Sequence, residues 1–473
     1  MLTETVHGNS HFSFWPRVRR YAVPPSMIET ATARRDVGDW AGACAAAGID
    51  VDLHPRATAR THGSEFAARL RADLRHLAPD LLRWHMPRIA PDGLLRPGLT
   101  VALARYDVAG RDGVYPVRLV VRTPPAWADG GQRISLALWD GSRDADGPLG
   151  RSHPHPHPHP DRRFRLDLHR HLWDARRTDE LRERSGAGRS PAGGRHATDP
   201  DVLAAVPPGH LCAVDRWAAE AEILLRAEGR STGAFTVRFG AGRRLDLELV
   251  ADRDGAGPPV PRLTTASAYG VASALPVLPD AAARVLPDLE LLRAGLIEAE
   301  LLHPLVASAL APEHTSPGPS RVGEPAGRAR LVECRGAQHR IGLVDGVLAP
   351  LDHDPDEIRR EELLASLSGT PLPCLRAIDE AHRTPDCLSG VRERLDHGDA
   401  AGALAVVEGL LGPDALLRGG ALRDELAAAA ERRIAYGLFR AGMVGPGPRS
   451  GRNLYRASRP RDLRSRPRHG ITR

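Results

Sequence analysis

Apolar positions in the first part of the chain recur at helical spacing. Residues 24–48 predict two helices that meet at Gly38-Asp39, because glycine favours the end of one helix and aspartate caps the start of the next. Ser26, with Glu29 three residues later, matches a capping box and predicts the start of the first helix.

A longer amphipathic helix is predicted over 64–84, and an alternating pattern follows it. Alternation of apolar and polar residues is typical of half-buried strands. It predicts an antiparallel meander of three strands: Thr100–Tyr106, Val117–Arg122 and Arg133–Trp139. Residues 163–173 alternate well enough to predict one more strand.

The middle of the chain mixes both patterns. A helix is predicted over 215–228, and a hairpin follows at Ala234–Gly240 and Arg243–Val250. Residues 280–302 predict a mainly helical segment with an apolar stripe, and Pro304 is expected to end or kink it.

The C-terminal part begins with a predicted strand pair, Arg330–Arg335 and Arg340–Leu343. Asp354, followed by proline and two acidic residues, predicts a helix start, and Gly369 predicts where that helix ends. Three or four short helices are predicted after it, the last at about 421–440.

Two distant segments of the chain have similar sequences, and we call them the echoed segments. Residues 36–45 (DVGDWAGACA) and 396–405 (DHGDAAGALA) agree at seven of ten positions. Both resemble a tetratricopeptide-like hairpin in the turn and in the small residues. Arrays of such hairpins need about three or more contiguous repeats, and these two lie far apart. This similarity therefore predicts two helical hairpins with the same turn chemistry.

Segments rich in proline and glycine divide the chain, and a further one at 184–210 is expected to be mobile. The expected fold class is α+β, multi-domain, with helical segments, small antiparallel sheets and a disordered C-terminal tail. The predicted regions are N-terminal helices with antiparallel strands (1–140), a His-Pro linker (141–162), a middle α+β region (163–311), a linker (312–328), a mostly helical C-terminal region (329–443) and the tail (444–473).

The composition excludes several enzyme classes. All 65 basic residues are arginine, and the chain contains no lysine. P-loop NTPases, protein kinases and pyridoxal phosphate enzymes each need a lysine, so they are excluded. The excess of arginine, alanine, glycine and proline indicates a GC-rich genome. The sequence does not decide whether the protein belongs to another class of enzyme, and on balance it favours a protein without catalytic activity.

Cysteine usage and hydropathy bear on the location of the protein. The five cysteines are an odd number without CxxC spacing, which predicts reduced thiols and a cytoplasmic protein. The N-terminus lacks the pattern of a signal peptide. No run of 18 apolar residues occurs, so no membrane span is predicted.

The formal charge of +6 is concentrated at the end of the chain. Residues 449–473 hold nine arginines and one acidic residue, a charge of +8. Arginine binds phosphate in a bidentate fork, so this tail predicts weak, non-specific nucleic-acid binding. A solvated tail enriched by codon bias and a contact with anionic lipid are the alternatives. The candidate residues are Arg449, Arg452, Arg456, Arg459, Arg461, Arg464, Arg466 and Arg468.

Two short motifs resemble catalytic signatures but lack the required context. Residues 379–382 spell DEAH, the box of a helicase family, yet they follow Pro373 in a predicted helix and the chain has no phosphate-binding lysine. Residues 229–233 match GxSxG, but a helix precedes them and a strand follows, which reverses the order of a nucleophile elbow. Both are interpreted as ordinary surface segments.

The spacing of the candidate metal ligands does not match that of a known metal site. The alternating His-Pro segment at 153–159 favours a polyproline helix whose imidazoles point in different directions, which predicts a semi-rigid linker. Cys374, His382, Cys387 and His397 are separated by 7, 4 and 9 residues, which matches no zinc pattern. Buried thiols and partly exposed histidines are predicted there, and neither a metal nor a cofactor is expected.

Isolated polar groups give weaker signals. Asp352, His353 and Asp354 could act as ligands or as an acid–base group, although Asp354 is already explained as a helix cap. Glu300 and His303 match half of a di-iron helix motif without its other half. A structure that brought these residues and His382 into one pocket would favour an enzyme.

The sequence therefore predicts a non-catalytic interaction or scaffold protein with a protein partner. The first alternative is a nucleic-acid-associated protein tethered by its arginine-rich tail. The second is an enzyme of an unfamiliar family, because most active sites assemble from residues that are distant in sequence.

Overall fold

The computed structural model shows an α+β fold in which helices surround small sheets. It describes residues 14–443 except 111–112, 129, 142–154, 156, 189–199, 209–210, 241–242, 251–259, 264–274, 314–329 and 370. The predicted tail at 444–473, with its candidate arginines, and nearly all of the predicted linker at 312–328 lie outside the described residues.

The first part of the fold is helical: α1 Trp15–Tyr21, α2 Pro25–Asp36, α3 Trp40–Ala46, α4 Pro55–His62, α5 Ser64–His76 and α6 Pro79–His85. The two helices predicted within 24–48 are confirmed as α2 and α3. However, α2 already begins at Pro25, so Ser26 does not cap it. The single helix predicted over 64–84 is wrong, because Pro79 begins a new helix, α6, after a break at Leu77-Ala78.

A four-stranded sheet packs against these helices. The described residues of this part of the chain form six strands, four of which make up the sheet: β1 Ile49–Val51, β2 Arg88–Ile89, β3 Leu94–Leu95, β4 Thr100–Gly110, β5 Gly113–Arg122 and β6 Ile134–Trp139. Because β4, β5 and β6 pair antiparallel, the predicted meander is confirmed. The short strand β1 joins β6 in parallel, so the sheet order is β1-β6-β5-β4.

The strand predicted at 163–173 is wrong. This segment forms 3-10 turns at Leu166–Leu168 and Arg170–Leu172. The indole N–H of buried Trp173 donates to the Leu166 carbonyl at 3.0 Å and closes the segment on itself. Its large side chains therefore reach the core from turns, and their spacing along the chain matches the alternation that is typical of a strand.

The middle part contains α7 Glu180–Ser185, α8 Pro200–Ala205, α9 Trp217–Ala227, β7 Gly233–Gly240, β8 Arg243–Val250, β9 Val260–Leu263, α10 Asp280–Ala283, α11 Pro287–Arg293 and α12 Pro304–Leu310. The helix predicted at 215–228 and the hairpin after it are confirmed. The segment 280–302, predicted as mainly helical, contains helices but is not one continuous helix, because Pro287 starts a separate one. Pro304 also begins α12 and does not end a helix.

Two large clusters of buried apolar side chains hold these parts together. The first contains side chains of α1, α3, α5 and α6, of the four-stranded sheet, and of α11 and α12, such as Leu291 and Val306, and α2 packs against it. The second lies between α9 and the β7-β8 hairpin, around Trp217, Phe235 and Leu247. The region predicted as one unit at 163–311 thus contributes to both clusters.

The C-terminal part contains β10 Arg330–Cys334, β11 Ala337–Val344, β12 Val347–Pro350, α13 Pro355–Ser368, α14 Pro373–Arg383, α15 Leu388–His397, α16 Ala400–Leu411 and α17 Ala421–Arg440. The predicted strand pair and the later helices are confirmed, with β12 as a third strand. Asp354 caps α13 by accepting from the Asp356 N–H at 2.8 Å, and Gly369 ends the helix with a positive φ, both as predicted.

The echoed segments form the same turn. Asp39 accepts from the Gly42 N–H at 2.8 Å, and Asp399 accepts from the Gly402 N–H at 2.9 Å. The glycine before each aspartate has a positive φ and ends the preceding helix. The prediction of two helical hairpins with shared turn chemistry is confirmed.

The second of these hairpins docks on the first part of the fold. The buried Arg83 side chain donates to the carbonyls of Ala22 at 3.0 Å, Gln132 at 2.5 Å and His397 at 2.9 Å. On α17, the Tyr436 hydroxyl donates to Asp50 at 2.5 Å. Contacts therefore join the regions predicted at 1–140 and 329–443.

Candidate functional site

Two cysteines and a histidine meet where three C-terminal elements come together. Cys334 is the last residue of β10, Cys374 is the second residue of α14, and His353 precedes α13. One donor atom from each residue lies within 4.8 Å of the other two. His353 Nε2 is 3.6 Å from Cys374 Sγ. We refer to these three residues as the Cys/His cluster.

Local backbone signals place each member of the Cys/His cluster. Arg335 and Gly336 both have positive φ and turn the chain directly after Cys334. Proline at the first position of α14 puts Cys374 in the first turn of that helix. Asp354 caps α13, which fixes the loop that carries His353.

The Cys/His cluster is enclosed. Both cysteines have no exposed surface, and the His353 side chain is 4% exposed. Burial raises the pKa of the Cys374 thiol to about 11, and its hydrogen bond with the Cys334 thiol adds to this effect. The imidazole of His339 stacks on that of His353, with ring centroids 4.2 Å apart.

The chemistry of this cluster is that of a metal ligand set. A thiolate and an imidazole nitrogen are the usual protein ligands of zinc and related ions. Among the described residues, only these three bring their donor atoms this close together as a group of three. Eighteen residues separate Cys334 from His353, and twenty separate His353 from Cys374. Short-spacing motifs therefore could not reveal the cluster from sequence.

The set named from sequence does not assemble. Of Cys374, His382, Cys387 and His397, only Cys374 belongs to the Cys/His cluster. His382 lies inside α14, and His397 ends α15 at the docked interface. The prediction that these histidines are partly exposed is wrong, because His382 is 4% and His397 1% exposed.

Helix α13, next to the Cys/His cluster, is unusual in its exposure. None of its fourteen residues is buried. Leu363, Leu364 and Leu367 are 63%, 53% and 86% exposed. Their spacing puts them on one side of the helix, and we call them the α13 leucine face. The helix is held at its start, where Arg335 pairs with Glu357 at 2.6 Å and with Glu361 at 2.5 Å.

The other polar residues named from sequence have structural partners. Asp352 pairs with Arg340 at 2.7 Å, and this hydrogen bond lowers the pKa of the carboxyl group to about 2. His303 is buried, lies 3.0 Å from Asp80 through Nε2, and caps α12 through Nδ1. Glu300 lies in a 3-10 turn before α12. Within the described parts of the chain, these residues and His382 do not form a common ligand group.

The two motif matches lie in the surroundings that the sequence indicated. The DEAH letters fall in α14, where Asp379 pairs with Arg383 at 2.7 Å and with Arg418 at 2.8 Å. The GxSxG letters join the end of α9 to the start of β7. Neither arrangement matches its catalytic family.

Part of the His-Pro segment is anchored to the first sheet. His155 is buried, and its Nε2 lies 2.9 Å from the Thr123 carbonyl oxygen. The Thr100 hydroxyl donates to the His157 carbonyl at 2.7 Å. His153 lies outside the described residues. These contacts tie the described end of the segment to β4 and to the loop after β5.

A cleft of about 690 Å³ lies beside β4 and the end of α9. The arginines on its walls are paired with carboxylates. Arg165 contacts Asp167 at 2.8 Å and Glu228 at 2.5 Å, and Arg105 contacts Asp107 at 3.1 Å. These pairs neutralise the charge that an anionic ligand would need, so the cleft does not indicate a phosphate site.

No protein family model, curated protein or solved structure matches this chain. No helix in the described part of the chain is both long enough and apolar enough to cross a membrane.

Proposed function

We propose that this chain is a non-catalytic interaction protein that docks on a protein partner through the α13 leucine face. The observation that carries the proposal is a fourteen-residue helix without a buried residue and with three exposed leucines. Short helices are marginal in water and gain most of their stability from packing of an apolar face. Contact with a partner would supply that packing.

The partner has an apolar groove for the leucines and a polar rim around it. Leu363 and Leu367 are spaced i, i+4, and Leu364 and Leu367 are spaced i, i+3, which are spacings of the anchors of a helix that lies in a groove. Arg359 and Arg360 precede the leucines on α13, and both are exposed. Four acidic residues of α13 lie beside these arginines, and Asp356 is 3.6 Å from Arg359, so a rim that carries both charge signs would match this end of the helix.

The cytoplasm is the proposed location. The five cysteines, all within the described part of the chain, form no disulfide. Thiols of this kind are typical of a reducing compartment.

Affinity purification of the full chain from its native host tests the interaction. A variant with Leu363, Leu364 and Leu367 all changed to serine should lose a stoichiometric protein partner that the wild type retains. Leu416→Ser is the matched control, because Leu416 is 89% exposed but lies outside α13. Recovery of the same partner by the triple variant would contradict the proposal.

A second proposal is non-specific nucleic-acid binding through the arginine-rich tail. Its support is the charge of +8 over residues 449–473. Binding that depends on phosphate contacts weakens steeply as salt rises. Full-length protein should therefore bind DNA at low salt, and a 1–445 truncation should not. Equal binding by both forms would refute this proposal.

A further inference from the structure

We propose that the Cys/His cluster binds one thiophilic divalent metal ion of the Zn²⁺ class, through Cys334 Sγ, Cys374 Sγ and His353 Nε2. This inference goes beyond the interaction function and does not depend on it. Two thiolates and one imidazole suit zinc and its thiophilic relatives better than magnesium or calcium, which prefer oxygen. The two thiolate charges would balance the charge of the ion, which allows the site to be buried.

The spacing of the donor atoms fits such an ion. In a tetrahedral site, Zn–S bonds of about 2.3 Å and Zn–N bonds of about 2.0–2.1 Å separate sulfur and nitrogen ligands by about 3.6 Å and two sulfur ligands by about 3.8 Å. The observed distance from Cys374 Sγ to His353 Nε2 is 3.6 Å. All three atoms lie within 4.8 Å, so small rotations of the side chains would seat the ion.

The surroundings of His353 favour ligation through Nε2. Its Nδ1 atom lies 3.6 Å from Glu357 Oε2, and Glu357 is in turn paired with Arg335 at 2.6 Å. A carboxylate at this position favours the proton on Nδ1 and leaves the Nε2 lone pair for a metal. The Nε2 atom faces the Cys374 thiol, as ligation requires.

His339 acts as a positioning residue for the site. Its ring stacks on His353 at an angle of 12° between the planes. The lone pair of an imidazole lies in the plane of the ring, so two parallel stacked rings cannot both bind one ion. His339 therefore fixes the plane of the His353 ring, and one bound water would complete the four ligands of a tetrahedral ion.

The small core around the cluster gives the ion a structural role. Within the β10-β11-β12 sheet, only Cys334 and Ile341 are buried. The local apolar cluster has four buried members, and two of them are Cys334 and Cys374. Metal ligation commonly supplies the folding energy that so small a core lacks. Cys44, by contrast, is buried within a large apolar core, as an ordinary structural thiol would be.

Titration of the reduced, metal-stripped full chain with Co²⁺ alone tests the proposal. We expect a thiolate-to-cobalt charge-transfer band and the intense visible bands of tetrahedral cobalt, saturating at one equivalent and lost when Zn²⁺ is added. The histidines of the His-Pro segment can bind cobalt only through nitrogen, so they cannot produce the charge-transfer band.

Variants identify the ligands. Cys334→Ser and Cys374→Ser should weaken Co²⁺ binding by more than roughly 100-fold, because loss of an outer partner alone costs 10–100-fold. The matched controls Cys212→Ser and Cys387→Ser should titrate like the wild type. His353→Gln should keep a charge-transfer band but bind more weakly.

A wild-type chain without the charge-transfer band would overturn the proposal and would leave the 3.6 Å contact as a thiol–imidazole hydrogen bond. A band of unchanged intensity in both Cys334→Ser and Cys374→Ser would overturn it as well. Where a serine variant fails to fold, the wild-type titration and His353→Gln decide the question. Failure here would leave the α13 docking proposal intact, because partner capture is measured separately.

Discussion

Gly398→Ala tests whether the second helical hairpin docks as the structure shows. Gly398 has a φ of +90°, and a methyl group there would lie 2.2 Å from the Gly131 carbonyl oxygen and 3.0 Å from Arg83 Nη2. Gly38 occupies the same place in the echoed turn, with a φ of +79°, and has no atom within 4 Å of such a methyl group. Gly38→Ala is therefore a matched control.

The two substitutions share one cost and differ in another. Alanine in the left-handed region costs about 1–2 kcal/mol at either glycine. At Gly398 the methyl group must also displace a backbone carbonyl, and overpacking of this kind costs about 1–3 kcal/mol more. We expect Gly398→Ala to be the more destabilising of the two by that amount.

Urea unfolding of both full-length variants, followed by circular dichroism, measures this difference. The Gly398 variant should also expose α15 to faster hydrogen exchange, because its contact with Arg83 is disturbed. Equal losses of unfolding free energy in the two variants would contradict this prediction. They would mean that the close approach of Gly398 to Gly131 is not made in solution.

Three further predictions concern single side chains. Glu357→Gln should weaken Co²⁺ binding about 10-fold, and Glu361→Gln should not, because only Glu357 faces His353. Tyr436→Phe should cost about 1–2 kcal/mol of unfolding free energy through loss of its hydrogen bond to Asp50. Burial, with help from neighbouring arginines, lowers the pKa of His397 to about 3, so the folded state stays unprotonated while the unfolded state takes up a proton below about pH 6.5. The free energy of unfolding should therefore fall by about 2 kcal/mol between pH 7 and pH 5. His397→Asn should abolish this fall, and the exposed control His54→Asn should not.

Elements with local start and stop signals could be predicted from the sequence. Asp39, Asp354 and Asp399 each cap a helix where the sequence placed one. The hairpin of β7 and β8 followed from alternation and its turn. These signals act within a few residues, so packing elsewhere changes them little. The capping box at Ser26 and the helix end at Pro304 were wrong because a proline begins each of those helices.

Elements defined by periodicity alone were predicted less well. The apolar face of 64–84 continues across Pro79, so its spacing hides the break between α5 and α6. At 163–173, buried side chains in 3-10 turns reproduce the spacing of a strand. Periodicity reports which side chains face the core, and two different backbones can present the same set.

The Cys/His cluster could not be predicted because its members come from three elements. Sequence reasoning singled out His353 and Cys374 in separate groups and did not connect either with Cys334. Only the pairing of β10 with β11 and the packing of α14 bring the thiols together. The α13 leucine face could not be predicted for a related reason. An apolar stripe on a helix normally predicts burial, and only the rest of the fold shows that this one is exposed.

Hydrogen exchange of the full chain, alone and bound to the partner that the wild type recovers, tests the docking proposal most directly. We predict that the amides of α13 exchange more slowly in the complex, because the leucine face is then covered. Protection elsewhere on the chain, with unchanged exchange over 355–368, would contradict the account.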